Sequence, residues 1–348
     1  MSETITVDLV SDTATKPTRA MRRAMADAPV GDEQRREDPT VNALNERVAD
    51  LLGQEAALFL PSGTMCNQIA IATHCRAGDE IIAAQGAHID GAEGAGAAVF
   101  AGSFVNRIAS PRGIFTGDDV RAAVRARHPK FPRTRLVEVE QTNNRGGGAV
   151  WPRQAIVSVV EAARAHGLLL HMDGARLMNA AVASGEPARS YAGSFDSVWL
   201  DLSKGLGCPV GGVLAGSRDF IAEADIWKHR FGGAMRQAGI LAAAGLYALD
   251  HHVDRLAEDH ANARRLASRL AALPGVRLDP SVVETNIVFI DVGANGLSAP
   301  AIGEAMLRHG IRLHIQSERR IRAVTHLDIA ASDVDRTADL LESMLSGQ

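Results

Sequence analysis

Ser197-Val198-Trp199-Leu200-Asp201-Leu202-Ser203-Lys204-Gly205-Leu206-Gly207 runs from an apolar strand directly into a lysine bracketed by small residues. A short apolar run that ends on turn formers reads as a strand covered on both faces. Outward from it, similar runs recur at 57–60, 80–83, 136–139, 168–171 and 212–214. Amphipathic stretches at 41–52, 65–74, 118–127 and 153–166 alternate with them. Strands separated by helices imply right-handed βαβ units and a mostly parallel sheet, so the expected class is α/β.

The texture changes after about residue 236. Two long helices are expected at 237–254 and 260–273, then a strand at 286–291, a helix at 300–308, strands at 311–315 and 321–325, and a last helix from 332. The expected organisation is a large domain over 1–245, with an N-terminal arm, and a smaller C-terminal α+β domain over 246–348. The length of 348 residues fits this, because a single core stops growing near about 250–300 residues. The segment before Asp38 is expected to pack on another subunit.

Lys+Arg 37 against Asp+Glu 41 leaves a net charge of −4, and aromatics are only 4%. Neither a basic stripe nor a set of stacking rings is available, which argues against a nucleic-acid partner. No run is apolar enough for a membrane span, so no membrane partner is expected. Cys66, Cys75 and Cys208 are too few for a disulfide framework, and no apolar segment follows the first residues. The expectation is a cytoplasmic enzyme.

In parallel sheets ligands bind beyond the carboxyl ends of the strands. The first strand runs into Ser62-Gly63-Thr64 and a helix, a turn whose free N–H groups suit a phosphate. Taken alone, it reads better as a helix cap. The strand at 168–171 runs into Met172-Asp173-Gly174-Ala175-Arg176. A buried carboxylate needs a cation or several donors, and either a protonated ring nitrogen or Arg176 could serve. Lys204 fits an amine held dry for attack on a carbonyl, with a snorkelling lysine as the alternative. Jointly, and in this order, the three features point to pyridoxal 5′-phosphate (PLP). The turn takes the phosphate, Asp173 the pyridine nitrogen and Lys204 the carbonyl carbon. His88 follows another strand and is positioned to stack on the ring or act as a base. His251, His252 and His260 are expected to face solvent. No metal is expected, since H-E-x-x-H and C-x-x-C are missing.

Five strings carry a resemblance to a known family: Glu37-Asp38-Pro39-Thr40, 58–68 (LFLPSGTMCNQ), 171–180 (HMDGARLMNA), 202–212 (LSKGLGCPVGG) and 232–245 (GGAMRQAGILAAAG). The chain resembles the low-specificity L-threonine aldolases of the β-eliminating lyase group, PLP enzymes of fold type I, from Asp8 to His326. The resemblance implies Lys204 as the Schiff-base lysine and Asp173 as the pyridinium partner, with His88 stacking on the ring. It places Ser62, Gly63, Thr64 and Ser203 at the cofactor. Ser11, Arg176 and Arg322 would hold the substrate carboxylate. Arg236 would reach a neighbouring subunit's phosphate, in a homotetramer built as a dimer of dimers with shared active sites. The implied reaction is retro-aldol cleavage of a β-hydroxy-α-amino acid to glycine and an aldehyde, within amino acid metabolism and glycine biosynthesis. Another PLP lyase reaction, an aminotransferase or a non-catalytic PLP-binding module are the alternatives.

Four positions depart from the family pattern. Arg35 replaces an aromatic, Asn143 replaces a histidine, Ile89-Asp90-Gly91 replaces bulky residues, and His229 stands where the family has a basic residue, although Lys228 and Arg230 flank it. Three of these, Arg35, Asn143 and Asp90, are expected at the substrate side chain, where Arg35 or Arg36 with Asp90 would favour a polar or acidic one. With Asn143 unable to act as a base, His88 is the expected proton acceptor.

Overall fold

The computed structural model describes residues 4–293 and 297–345. Its large sheet holds seven strands: Ala56–Leu60 (β1), Asp79–Ala84 (β2), Phe104–Ile108 (β3), Arg133–Glu140 (β4), Leu169–Gly174 (β5), Ser197–Asp201 (β6) and Gly212–Gly216 (β7). The spatial order is β1-β7-β6-β5-β4-β2-β3. Only β7 is reversed, antiparallel to both β1 and β6. The segment between β6 and β7 contains no helix, and a parallel return requires a long crossover. The edge strand β3 was not expected. Its sequence, Phe-Val-Asn-Arg-Ile, is half polar because one side faces water, and Phe104 is exposed.

Alternation along the strands builds a core on each face. Val213 and Ala215 of β7 enter one and Leu214 the other, and Ile82 and Ile81 of β2 divide in the same way. Helices Pro39–Leu52, Arg153–Ala165 and Gly239–His251 cover the first face. Helices Gly63–His74 and Arg218–Arg230 cover the second. Local signals set the helix ends. Asp38 Oδ1 caps Pro39–Leu52 by accepting the Thr40 and Val41 N–H groups, Pro39 occupies the first turn, and Gly53 closes it at φ +69°.

The C-terminal part carries a four-stranded antiparallel sheet in the order His314–Ile315, Arg320–Val324, Ile287–Asp291, Arg277–Leu278. Helices Leu256–Leu270, Ala299–Arg308 and Ala331–Leu345 pack on it. The strand expected at 311–315 splits. Ile311–Arg312 leaves this sheet and pairs in parallel with Val7–Asp8. The N-terminal arm therefore pairs within its own chain: Val7 and Leu9 lie in the C-terminal core, and Thr15 Oγ1 donates to the Lys204 carbonyl at 2.9 Å. The boundary placed at 245/246 falls inside the helix Gly239–His251, where an alanine-rich run offers no break.

Two histidines expected in solvent are buried. His252 Nδ1 lies 2.7 Å from the Leu206 carbonyl, and His260 Nε2 lies 3.2 Å from Asn179 Nδ2. Each falls on the inner side of its helix, which the sparse polar pattern around it does not show. Among the described residues no helix is long and apolar enough to cross a membrane.

Candidate active site

Strand register brings the chemistry-bearing turns to one sheet edge. Leu60 at the end of β1 and Asp201 at the end of β6 both sit opposite Gly212. The turns 61–64 and 202–207 therefore emerge about two strand spacings, roughly 10 Å, apart. On the next strands Asp173 lies beside Trp199 and Glu140 beside Asp173.

At the first turn Ser62 Oγ caps the helix by accepting the Met65 N–H at 3.2 Å. The Gly63 and Thr64 N–H groups lie in the first turn of that helix, where no intrahelical acceptor exists. Gly63 cannot be larger: a Cβ there would stand 2.2 Å from the Trp199 ring. The turn is thus both a cap and an open row of donors at the positive end of a helix dipole.

Lys204 Nζ ion-pairs with Asp201 Oδ2 at 2.8 Å and lies 5.6 Å from the Trp199 ring centroid. Its side chain is 19% exposed, so it does not reach out into solvent as a snorkelling lysine would. Ser203 donates its N–H and hydroxyl to Asp201 Oδ1 at 2.7 and 3.0 Å. Asp201, unremarked in the sequence reading, thus holds this turn together.

Asp173 is buried and makes no ion pair among the described residues. Oδ1 accepts the Ala175 N–H at 2.9 Å, and Oδ2 accepts Asn67 Nδ2 at 2.7 Å. The alternative of an Asp173–Arg176 pair does not occur. Arg176 instead grips Asp12 through Nε and Nη2 at 2.6 and 2.7 Å, with both residues buried. Burial by itself would raise the Asp12 carboxyl, but the Arg176 guanidinium, aided by Lys204 and Arg322, holds it well below the usual carboxylate range. Asp12 was missed because its partner lies 164 residues away.

Arg322, on the C-terminal sheet, joins this group. Nη2 donates to Asn144 Oδ1 at 2.8 Å, and Nη1 reaches the Val10 carbonyl at 3.4 Å. Its Nε is buried with no partner among the described residues. Burial and the neighbouring Arg176 push its pKa down to about 10, with Asp12 opposing them. Ser11 caps the turn at Asp12, accepting the Thr13 N–H at 3.2 Å.

His88 opens the short helix His88–Gly91. Its N–H donates to Glu140 Oε2 at 3.0 Å, and Nδ1 lies 2.7 Å from Glu93 Oε1. The Glu93 hydrogen bond raises the His88 pKa against the pull of burial. Asn67, wholly buried, links the parts: it donates to Glu93 and Asp173 and accepts from Trp199 Nε1 at 2.7 Å. Behind it His171 and His74 meet at Ser197, each 2.8 Å from its Oγ, and burial lowers both to about 3, so both are neutral. One alternation before Glu140 on β4, Glu138 is buried with neither oxygen partnered among the described residues. Burial, with Asp173 and Glu140 nearby, raises its carboxyl well above the usual range.

Three residues expected at the substrate side chain take other partners within this chain. The Asp90 carboxylate accepts the Gly86 N–H at 3.1 Å and pairs with Arg107 at 2.7 Å. Asn143 Oδ1 accepts the Gly146 N–H at 2.7 Å and closes its own loop, while the next residue, Asn144, reaches the site. Arg35 is 73% exposed beside Asp32, which also receives Arg236 at 2.9 Å.

A model of the beta-eliminating lyase family matches residues 8–294. The low-specificity L-threonine aldolase of Escherichia coli K12 is 43% identical over 333 residues, covering 95% of this chain and 97% of that one. The chain belongs to the threonine aldolase family of beta-eliminating lyases. Two solved structures show the same fold. Threonine aldolase of Leishmania major superposes with a TM-score of 0.83 at 21% identity, over 97% of this chain and 99% of that one. Serine palmitoyltransferase of S. paucimobilis, solved with bound PLP and myriocin, gives 0.77 at 18%, over 97% and 87%.

For a threonine aldolase family member, the residues present fit PLP. A buried carboxylate served only by neutral donors is set to receive a protonated ring nitrogen. The Ser62–Thr64 turn offers the phosphate donors, Lys204 offers the amine, and the unpartnered Arg322 Nε offers a place for a substrate carboxylate.

Proposed function

We propose that the chain is a PLP-dependent aldehyde-lyase that cleaves L-threonine, L-allo-threonine or a related β-hydroxy-α-amino acid to glycine and an aldehyde. The observation that carries this reading is the gathering of Lys204, cation-free Asp173 and the half-open Arg322 around one sheet edge. When bound, PLP supplies the electron sink for the breaking Cα–Cβ bond.

The chain's residues do the rest. Arg322 Nε and the part of Arg176 not engaged by Asp12 bind the substrate carboxylate, with the Ser11 hydroxyl beside them. That fixes which bond at Cα stands ready to break. His88 Nε2 accepts the β-hydroxyl proton, directly or through one water, as the carbonyl of the leaving aldehyde forms. The Asp173 carboxylate would face the ring nitrogen of bound PLP and favour its protonated form.

The test is aldehyde release from threonine, allo-threonine, phenylserine and 3-hydroxyaspartate with PLP added. Aldehyde and glycine in equal amounts, with no keto acid consumed, are expected. Keto-acid-dependent turnover would point to an aminotransferase instead. His88→Ala is expected to lower the rate on the order of 10²- to 10⁴-fold. A full rate in that variant would remove His88 from the role of acceptor.

The assembly belongs to the same reading: a cytoplasmic homotetramer, as a dimer of dimers, in which Arg236 serves a neighbour's phosphate. Arg236 is 61% exposed and paired with Asp32, which leaves it accessible to a second copy. Mixing Lys204→Ala with Arg236→Ala subunits is expected to restore activity that neither variant has alone. No restoration in mixed oligomers would sink the shared site.

A further inference from the structure

Glu93 lies between the short helix His88–Gly91 and the helix Gly96–Ala101, and nothing in the reaction above uses it. Its side chain is 2% exposed. Oε1 stands 2.7 Å from His88 Nδ1 and 2.7 Å from Asn67 Nδ2.

The hydrogen positions follow from donor chemistry. Trp199 Nε1 can only donate, so the Asn67 atom facing it is the amide oxygen. The other Asn67 atom is then the NH2, and it gives one hydrogen each to Glu93 Oε1 and Asp173 Oδ2. Burial raises the Glu93 carboxyl, and its bonds to His88 and Asn67 oppose this. As the carboxylate, Glu93 accepts at Oε1 from both, and the atom facing it from the imidazole, Nδ1, carries a hydrogen. A neutral ring with hydrogen on Nδ1 has its lone pair on Nε2.

We propose that Glu93 is a positioning residue for His88, holding the ring in the form with hydrogen on Nδ1 and stabilising the positive charge it gains when Nε2 accepts the substrate proton. The proposal rests on the reading of His88 as that acceptor. A carboxylate that fixes the tautomer of a catalytic histidine is the same device as the aspartate of a Ser-His-Asp triad, where losing it leaves the geometry but not the rate. Asn67 extends the arrangement, because Glu93 and Asp173 hang on one amide nitrogen and are held in a fixed relation.

The charged groups facing His88 are Glu93 on its own segment, Asp173 from β5 and Glu140 from β4, while the helix Gly63–His74 presents only neutral Asn67. All three are acidic and favour the protonated ring. Removing the Glu93 charge leaves His88 easier to deprotonate.

Glu93→Gln keeps the size of the side chain and removes its charge. In the holoenzyme kcat is expected to fall on the order of 10²- to 10⁴-fold, with KM for threonine nearly unchanged and the acid limb of kcat moved to lower pH. Glu93→Asp keeps the charge but shortens the reach, so the limb stays in place while the rate drops. A second readout needs no turnover: acylation of His88 by diethyl pyrocarbonate, followed by mass spectrometry across pH on the full chain. The reagent takes the unprotonated ring, so the midpoint should fall in Glu93→Gln and hold in Glu93→Asp. If Glu93→Gln does not fold, the Glu93→Asp rate and midpoint decide.

A wild-type kcat and an unmoved midpoint in Glu93→Gln would overturn the proposal. If His88→Ala is crippled in the same assay, the loss falls on Glu93 alone. If His88→Ala is also fully active, the reading beneath it fails instead.

Discussion

Lys204→Ala should lose turnover by on the order of 10⁴- to 10⁶-fold, the scale seen when one member of a catalytic unit is removed. The lysine is the only nucleophilic amine that the sheet edge places beside Asp201 and Trp199 among the described residues. Its backbone is held as firmly as its side chain, because its carbonyl accepts Thr15 Oγ1 from the N-terminal arm and, two residues on, the Leu206 carbonyl accepts His252. The variant should still fold, since the change shortens a side chain in a turn that Ser203 and Asp201 already close. Borohydride treatment before digestion is expected to leave the cofactor mass on the peptide carrying Lys204 in the wild type and nowhere in Lys204→Ala. Retention of the mass on another lysine would show that the anchoring amine has been misassigned. Lys204→Arg separates charge from nucleophilicity: it can keep the pair with Asp201 but cannot form the bond.

Asp12→Ala is expected to cost about 3–5 kcal/mol of folding stability, because it strands a buried guanidinium. Arg176 is 4% exposed at its side chain and Asp12 is fully buried, so water cannot replace the lost partner. Asn286 Nδ2 also loses one of its two acceptors, at 3.1 Å, and keeps the Thr325 carbonyl. Urea unfolding with and without PLP measures the effect. An exposed pair such as Arg121 with Asp118 is the control, and its loss should barely move the midpoint. The pair also has a direction with pH. Its carboxyl sits below the usual range, so its contribution is complete above the unfolded pKa near about 3.9 and is lost only as strong acid protonates Asp12. A midpoint for Asp12→Ala within error of the wild type would mean Arg176 finds another anion. Activity should fall as well, since Arg176 would no longer be held where it meets the substrate carboxylate.

Much of the site was legible because its parts lie at strand ends. Asp173 and Lys204 each follow an apolar run within a few residues, and a parallel sheet collects such ends on one edge. The turn at Ser62-Gly63-Thr64 was legible for the same reason: Ser62 caps the helix, and the Gly63 and Thr64 N–H groups in its first turn leave room for the phosphate reading. Less legible was which partners side chains on loops take. Asp90 and Asn143 were placed against the substrate, yet each turns to a nearby backbone N–H, Gly86 and Gly146. Short polar side chains satisfy the closest donor, and a single sequence does not show which donor that is.

The sequence by itself determined the alternation of strands and helices, the order of turn, aspartate and lysine, and with them the cofactor. Those features rest on periods of two and 3.6 and on neighbours a few residues away. Only the tertiary structure decided that β7 runs backwards, that the N-terminal arm pairs with Ile311–Arg312 of the C-terminal part, and that Arg176 belongs to Asp12 rather than Asp173. It alone brought Asn67 to Asp173, 106 residues apart, and joined Glu93, the partner of His88, to Asp173 through the same amide. The reason is physical. Burial makes an unmet hydrogen bond or charge expensive, so each polar side chain takes whatever partner the packed sheet presents, and that partner is fixed by the fold rather than by distance along the chain.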